Sequence, residues 1–192
     1  MNELNIYMTF QNILSKSSII DGNFSIVPGY GADLNFEQAG ETIINVVKPK
    51  KYPLVALFPP VEVLRDNIIQ YKLKFIFCVQ TGNGSLGIKD IKSNNTSGHP
   101  IIYDWKDMRE CAVNFFQVVS DLGKTNPKPF NLTKDGNYIE RFSEMGTAKL
   151  SGVVLSFDFT ILNNTKCENS EYSISDLKDL LSLNNIHPQH KH

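Results

Sequence analysis

The sequence is short of the features that mark most function classes. Among 192 residues it has three cysteines, Cys78, Cys111 and Cys167. An odd, widely spaced set is not a disulfide framework, and no two have zinc-site spacing. Reduced thiols are expected. No stretch reaches the ~18 consecutive apolar residues of a membrane span. Residues 1–10 carry Glu3 and no basic cluster, so a secretory signal is not expected there. A basic excess is also missing: 19 Lys and Arg face 20 Asp and Glu, for a net charge of -1. A dedicated nucleic-acid binder shows a surplus of Lys and Arg on one face. Of four histidines, three lie in the closing HPQHKH and His99 stands alone before Pro100. That tail lacks the acidic partners and rigid frame of a metal site, and reads as solvated.

Familiar catalytic arrangements are missing too. There is no H-E-x-x-H, no P-loop and no histidine placed near a nucleophile. Gly82-Asn83-Gly84-Ser85-Leu86-Gly87 fits G-x-G-x-x-G. The fingerprint needs a helix opening at its last glycine and a buried parallel strand before it. Here Ile-Lys-Asp-Ile-Lys follows, and the preceding strand is amphipathic. A flexible glycine loop is the expectation. Glu140, Arg141 and Glu144 read as an ion-paired surface, and Asp158 as a group facing solvent or a subunit interface. The sequence therefore offers no catalytic residue, no cofactor-binding residue and no metal ligand.

What is present is periodicity. Ile69, Tyr71, Leu73, Phe75, Phe77 and Val79 alternate with Gln70, Lys72, Lys74, Ile76 and Cys78. A period of two sends one set to each face of a sheet. This predicts a central strand with one face on the core and one wetter. Val153, Leu155, Phe157, Phe159 and Ile161 repeat the pattern, with Gly152, Ser156, Asp158 and Thr160 opposite and Val154 an exception. Between these strands Trp105, Met108, Ala112, Phe115, Val119 and Leu122 share one helical face. Asp104 is expected as the N-cap, with Asp107 in the first turn and Gly123 as the stop. Val113 and Phe116 would broaden the stripe.

The other elements follow in order. Residues 3–15 predict a short amphipathic helix. Asp21-Gly22-Asn23 is a turn signal, and residues 24–27 a short strand. Residues 29–42 read as a loop or weak edge strand. Residues 42–47 and 52–58 flank a basic turn, Lys48-Pro49-Lys50-Lys51, and the second segment looks like a strand ended by Pro59-Pro60. Residues 61–64 and the central strand suit a hairpin. Residues 81–103 read as a long loop, 124–138 as a connection, and 138–145 is ambiguous. The expected class is α+β, a mostly antiparallel sheet packed by one main helix and an N-terminal helix. The expected division is a domain over 1–167 and a C-terminal arm over 168–192, with one short Leu-rich helix.

One family pattern fits these elements. The run YPLVALFPP, the alternating NIIQYKLKFIFCV, a W-x-x-M-x-x-x-A-x-x-F helix and IERFSEMGTAKLSGVVLSFDFTI follow one another, with Cys167 close behind. Arg141-Phe142, Leu150, Gly152 and the strand after them complete it. Over residues 1–167 this resembles the tail completion and tail terminator proteins of tailed bacteriophages, in particular phages of Bacteroidetes hosts, including crAss-like phages. The resemblance implies a virion protein made in the host cytoplasm, with a tail-terminator-like sheet. It implies a homo-oligomeric ring, hexamer or dodecamer, at the head–tail junction. Neck, portal-adaptor or tail proteins would be its neighbours, and DNA would pass non-specifically through its lumen. No enzyme activity and no membrane contact are implied. A near-neutral surface suits such a channel, because phosphate contacts make DNA binding strong. The alternative from the residues alone is a monomeric module that holds a ligand or protein with the 81–103 loop.

Overall fold

Two long strands form the backbone of the molecule in the computed structural model. The structure describes residues 3–27, 41, 43, 52–65, 67–81, 100–125, 130–147 and 149–162. The expected loop at 29–42 apart from residue 41, the basic turn at 48–51, the glycine loop with His99, Pro127 and Pro129, Cys167 and the 168–192 arm lie outside them.

The elements are α1 (Glu3–Ser15), β1 (Phe24–Ile26), β2 (Leu54–Leu57), β3 (Val61–Arg65), β4 (Ile68–Gln80), α2 (Pro100–Leu122), β5 (Asn131–Leu132), β6 (Tyr138–Met145) and β7 (Leu150–Leu162). The class is α+β: among the described residues, α1 and α2 pack on a mostly antiparallel seven-stranded sheet. β4 and β7 pair along their full length, from Ile68↔Leu162 to Gln80↔Leu150, without a register shift. Both are rich in β-branched and aromatic residues, which suit a pleated, half-buried surface.

Each side of this ribbon carries two short strands end to end. On the β4 side, β2 pairs with residues 75–78 and β3 with residues 68–72. Phe58, Pro59 and Pro60 separate them, and proline belongs at such an interruption because it has no N–H for the ladder. On the β7 side, β6 pairs with residues 150–156 and β5 with 159 and 160. Residues 133–137 separate those two. The breaks meet on one row, because Leu73 and Phe157 are partners across the ribbon. β1 adds a parallel strand outside β2, and Asn23 Nδ2 donates to Pro53 O at 2.8 Å beside a cis Tyr52–Pro53 peptide.

One sheet face is covered by α1 and α2. Phe10, Leu73, Phe75, Phe77, Met108, Ala112, Val119, Val153 and Phe157 are all at most 2% exposed there. Phe10 meets Phe75, Phe115 and Phe157 edge-on, at 5.4, 5.8 and 6.4 Å between ring centres. Burying one such ring contributes about 1.5–3 kcal/mol relative to leaving it in water. Phe116 joins the core against Phe157 at 5.5 Å, whereas Val113 is exposed and does not widen the buried stripe.

The other face, expected to be the wetter one, is divided. Near the end of β4 it carries a second core, in which Val27, Ile43, Leu54 and Ala56 pack on Ile76, Cys78, Leu150 and Val154. Only the other half of that face, with Lys72, Lys74, Asp158 and Thr160, stays partly or fully exposed.

Three further expectations change. Asp104 is not the N-cap of α2: the helix opens at Pro100, and Asp104 is a buried residue one turn inside it. Proline suits a first helical position because its missing N–H is an orphan there anyway. Asp107 therefore lies beyond the first turn, and burial raises its carboxyl pKa. Residues 100–103 belong to α2, not to the preceding loop, and residues 131 and 132 form a strand within the expected connection.

Candidate functional site

The surface with most to offer a partner is the pair of outer sheet edges. Among the described residues, β3 pairs only with β4 and β6 only with β7. These two strands flank the β4–β7 ribbon on opposite sides and toward opposite ends, β3 along residues 68–72 and β6 along residues 150–156. An open margin presents unpaired N–H and C=O groups, a ready template for another strand. Both margins are exposed along most of their length. They also carry large apolar groups in water: Leu64 is 73% exposed and Tyr138 46%.

Between the margins, the polar half of the second face forms an open groove of about 410 Å³. Phe58 and Pro59 make one wall, Tyr138 the other, and Lys72, Ser156 and Asp158 part of the floor. Asp158 Oδ2 accepts from Gln70 Nε2 at 2.9 Å. Its backbone is tied across the β5–β6 break: Thr133 Oγ1 donates to Asp158 O at 2.7 Å and Asp158 N to Asn137 Oδ1 at 3.4 Å. Asp158 thus holds the break together. Ser156 is 5% exposed, and its hydroxyl finds no hydrogen-bond partner among the described residues.

The remaining singled-out residues are structural. Arg141 stacks its guanidinium over Trp105, 6.0 Å from the ring centre. Trp105 Nε1 donates to Phe142 O at 2.6 Å, which ties α2 to β6. Among the described residues no ion pair joins Glu140, Arg141 and Glu144; the one between side chains is Lys124–Asp121 at 2.9 Å, on the surface. Cys78 and Cys111 are free and buried. Burial pushes the Cys78 thiol from 9.0 to about 12, and burial with the nearby Asp107 and Glu110 charges pushes Cys111 to about 11. Nucleophilic chemistry needs the thiolate, and both sites oppose it. Among the described residues no cluster of three His, Cys, Asp or Glu is placed to hold a metal, and no helix is long and apolar enough to cross a membrane.

Sequence reasoning missed the margins. Their exposure follows from which strands lack a second neighbour, a property of topology that no local pattern records. The one local signal was Leu64 and Val61 beside charged residues in so short a strand. No family model, no curated protein and no solved structure matches the chain.

Proposed function

We propose that the protein is a structural ring subunit of a tailed-phage virion, located at the head–tail junction, through which DNA passes. The observation that carries this reading is the pair of exposed edge strands, β3 and β6, on opposite sides of the β4–β7 ribbon. A sheet with two exposed margins on opposite sides can join identical copies head to tail. Such a heterologous contact closes into a ring when its rotation closes. The resemblance in YPLVALFPP, the β4 alternation, the α2 stripe and the residues around Arg141-Phe142 and Gly152 supports the phage assignment. The formal charge of -1 supports a lumen that does not grip DNA.

The test is the native mass of the full chain, alone and with neck and tail proteins of the same phage. A discrete hexamer or dodecamer of the 21.7 kDa chain is expected. A chain that stays monomeric in every mixture overturns the proposal. Removing residues 168–192 is expected to weaken docking to a neighbour without unfolding the sheet.

A further inference from the structure

We propose that the groove on the polar half of the second face receives the acidic stretch 168–179 of a neighbouring copy. This rests on the ring reading and names one of its contacts.

Strand register builds the receiving side. Along β4 and β7, Lys72 stands opposite Asp158 and Lys74 opposite Ser156. β3 adds Val61 beside Lys72, and β6 adds Tyr138 beside Ser156. Residues directly opposite one another share a face. Two rows therefore cross the groove, Val61–Lys72–Asp158 and Lys74–Ser156–Tyr138. The two lysines are two residues apart on one strand, about 6.6 Å.

The charge on this floor is unbalanced. Both lysines are exposed. Neither is ion-paired among the described residues, where the pair between side chains is Lys124–Asp121. Asp158 is the one acid among the described residues that line the groove, and its Oδ2 accepts from Gln70 Nε2 instead. Ser156, between Lys74 and Tyr138, is 5% exposed, and its hydroxyl has no partner among the described residues. Keeping a buried hydroxyl unpartnered costs stability. An anion held between Lys74 and Tyr138 lies over that hydroxyl and gives it an acceptor.

The shape selects the kind of ligand. Phe58 and Pro59 wall the groove on one side and Tyr138 on the other, and it is open above. Pockets for small molecules bury most of what they hold, and an open groove leaves such a ligand wet. A protein segment laid across it brings its own cover. The fitting segment carries carboxylates beside an aromatic or apolar side chain.

This chain has one. Residues 168–179, ENSEYSISDLKD, hold Glu168, Glu171, Asp176 and Asp179 against Lys178 alone. Glu168 and Glu171 offer two carboxylates, three residues apart, to two lysines. Tyr172 beside them offers a ring to the Phe58–Pro59 wall. The donor is a second copy because of the direction of β7. That strand passes through the floor at Ser156 and Asp158 and ends at Leu162, opposite Ile68. It is moving away from its own groove. Filling the groove from the same copy would require the chain to double back within residues 163–167. A neighbour's segment enters from outside without that reversal.

Zero-length cross-linking of the unaltered full-length protein tests this. Carbodiimide joins a lysine amine to a carboxylate in contact with it. Rings are assembled from equal parts of 15N-labelled and unlabelled chain, treated, digested and read by mass spectrometry. The expected product links Lys72 or Lys74 to a carboxylate of residues 168–179, with the two labels mixed. Lys72→Glu with Lys74→Glu is expected to weaken assembly about tenfold. Adding Glu168→Lys with Glu171→Lys is expected to recover most of that loss. A ring of the expected native mass that lacks these links, shows them only within one label, or joins Lys72 and Lys74 to a different protein overturns the proposal and leaves the ring reading standing. A monomer in every mixture overturns both.

Discussion

Gly152 lies so close to the Phe77 carbonyl that a Cβ on it would sit 1.9 Å from that oxygen. The obstacle is backbone of the neighbouring central strand, so it cannot rotate aside. Gly152→Ala is expected to destabilise the protein by about 3 kcal/mol, through displaced β4–β7 pairing. Denaturant unfolding would measure it, and a loss under about 1 kcal/mol would contradict the close approach.

Phe10 is the tie between α1 and the sheet. Its ring touches three core rings from two other elements and the strand β7. Phe10→Ala is expected to cost about 3–5 kcal/mol, the range for a buried phenylalanine. Phe10→Leu should recover much of that in the same unfolding experiment.

Trp105 is the single tryptophan of the chain. Trp105→Phe keeps an aromatic surface for Arg141 but removes the donor to Phe142 O. A loss of about 1 kcal/mol is expected. Hydrogen exchange should rise in β6 before it rises in β4, and uniform exchange across both strands would count against a local tie.

Ser156 offers the opposite sign. Its buried hydroxyl has no partner among the described residues. Replacing an unsatisfied group by an apolar one of similar shape is neutral or stabilising. Ser156→Ala should leave the melting temperature unchanged or raise it, and a clear drop would reveal a partner.

The two thiols set an alkaline limit. Both ordinary values are 9.0, raised to about 12 at Cys78 and about 11 at Cys111. Below pH 9 both states keep the protons and the contribution is flat. Above it the unfolded chain releases protons that the folded chain retains, so stability falls as pH rises. Each thiol contributes a slope of about 1.4 kcal/mol per pH unit, between pH 9 and 11 for both and up to 12 for Cys78. Cys78→Ala should flatten part of that slope.

The long elements were legible because periodicity acts locally. The alternation of Tyr71 to Val79 and of Val153 to Ile161 marked β4 and β7, and the Trp105–Val119 spacing marked α2. What failed depends on contacts across the chain. Ile76, Cys78 and Val154 broke the polar pattern of the second face, and they did so because Val27, Ile43 and Leu54 cover them. That partner set is scattered and has no period of its own. Asp104 has the chemistry of a cap, yet Pro100 starts the helix a turn earlier and the carboxylate is buried instead. The candidate interface was the least legible part, since an edge is defined by a missing neighbour.

The shared break at Leu73 and Phe157 has a mechanical consequence. Elsewhere the ribbon is braced on one or both flanks, but along that row it is two strands wide. A plate narrowed along one line has its lowest bending stiffness there. The half stiffened by two cores becomes an anchor and the half with the groove a flap, with the Asp158 bonds acting as its spring. In the proposed ring, a change of bore along this crease would have to carry Phe10 and Phe116 with it, because both rings pack on Phe157 from the helix-covered face.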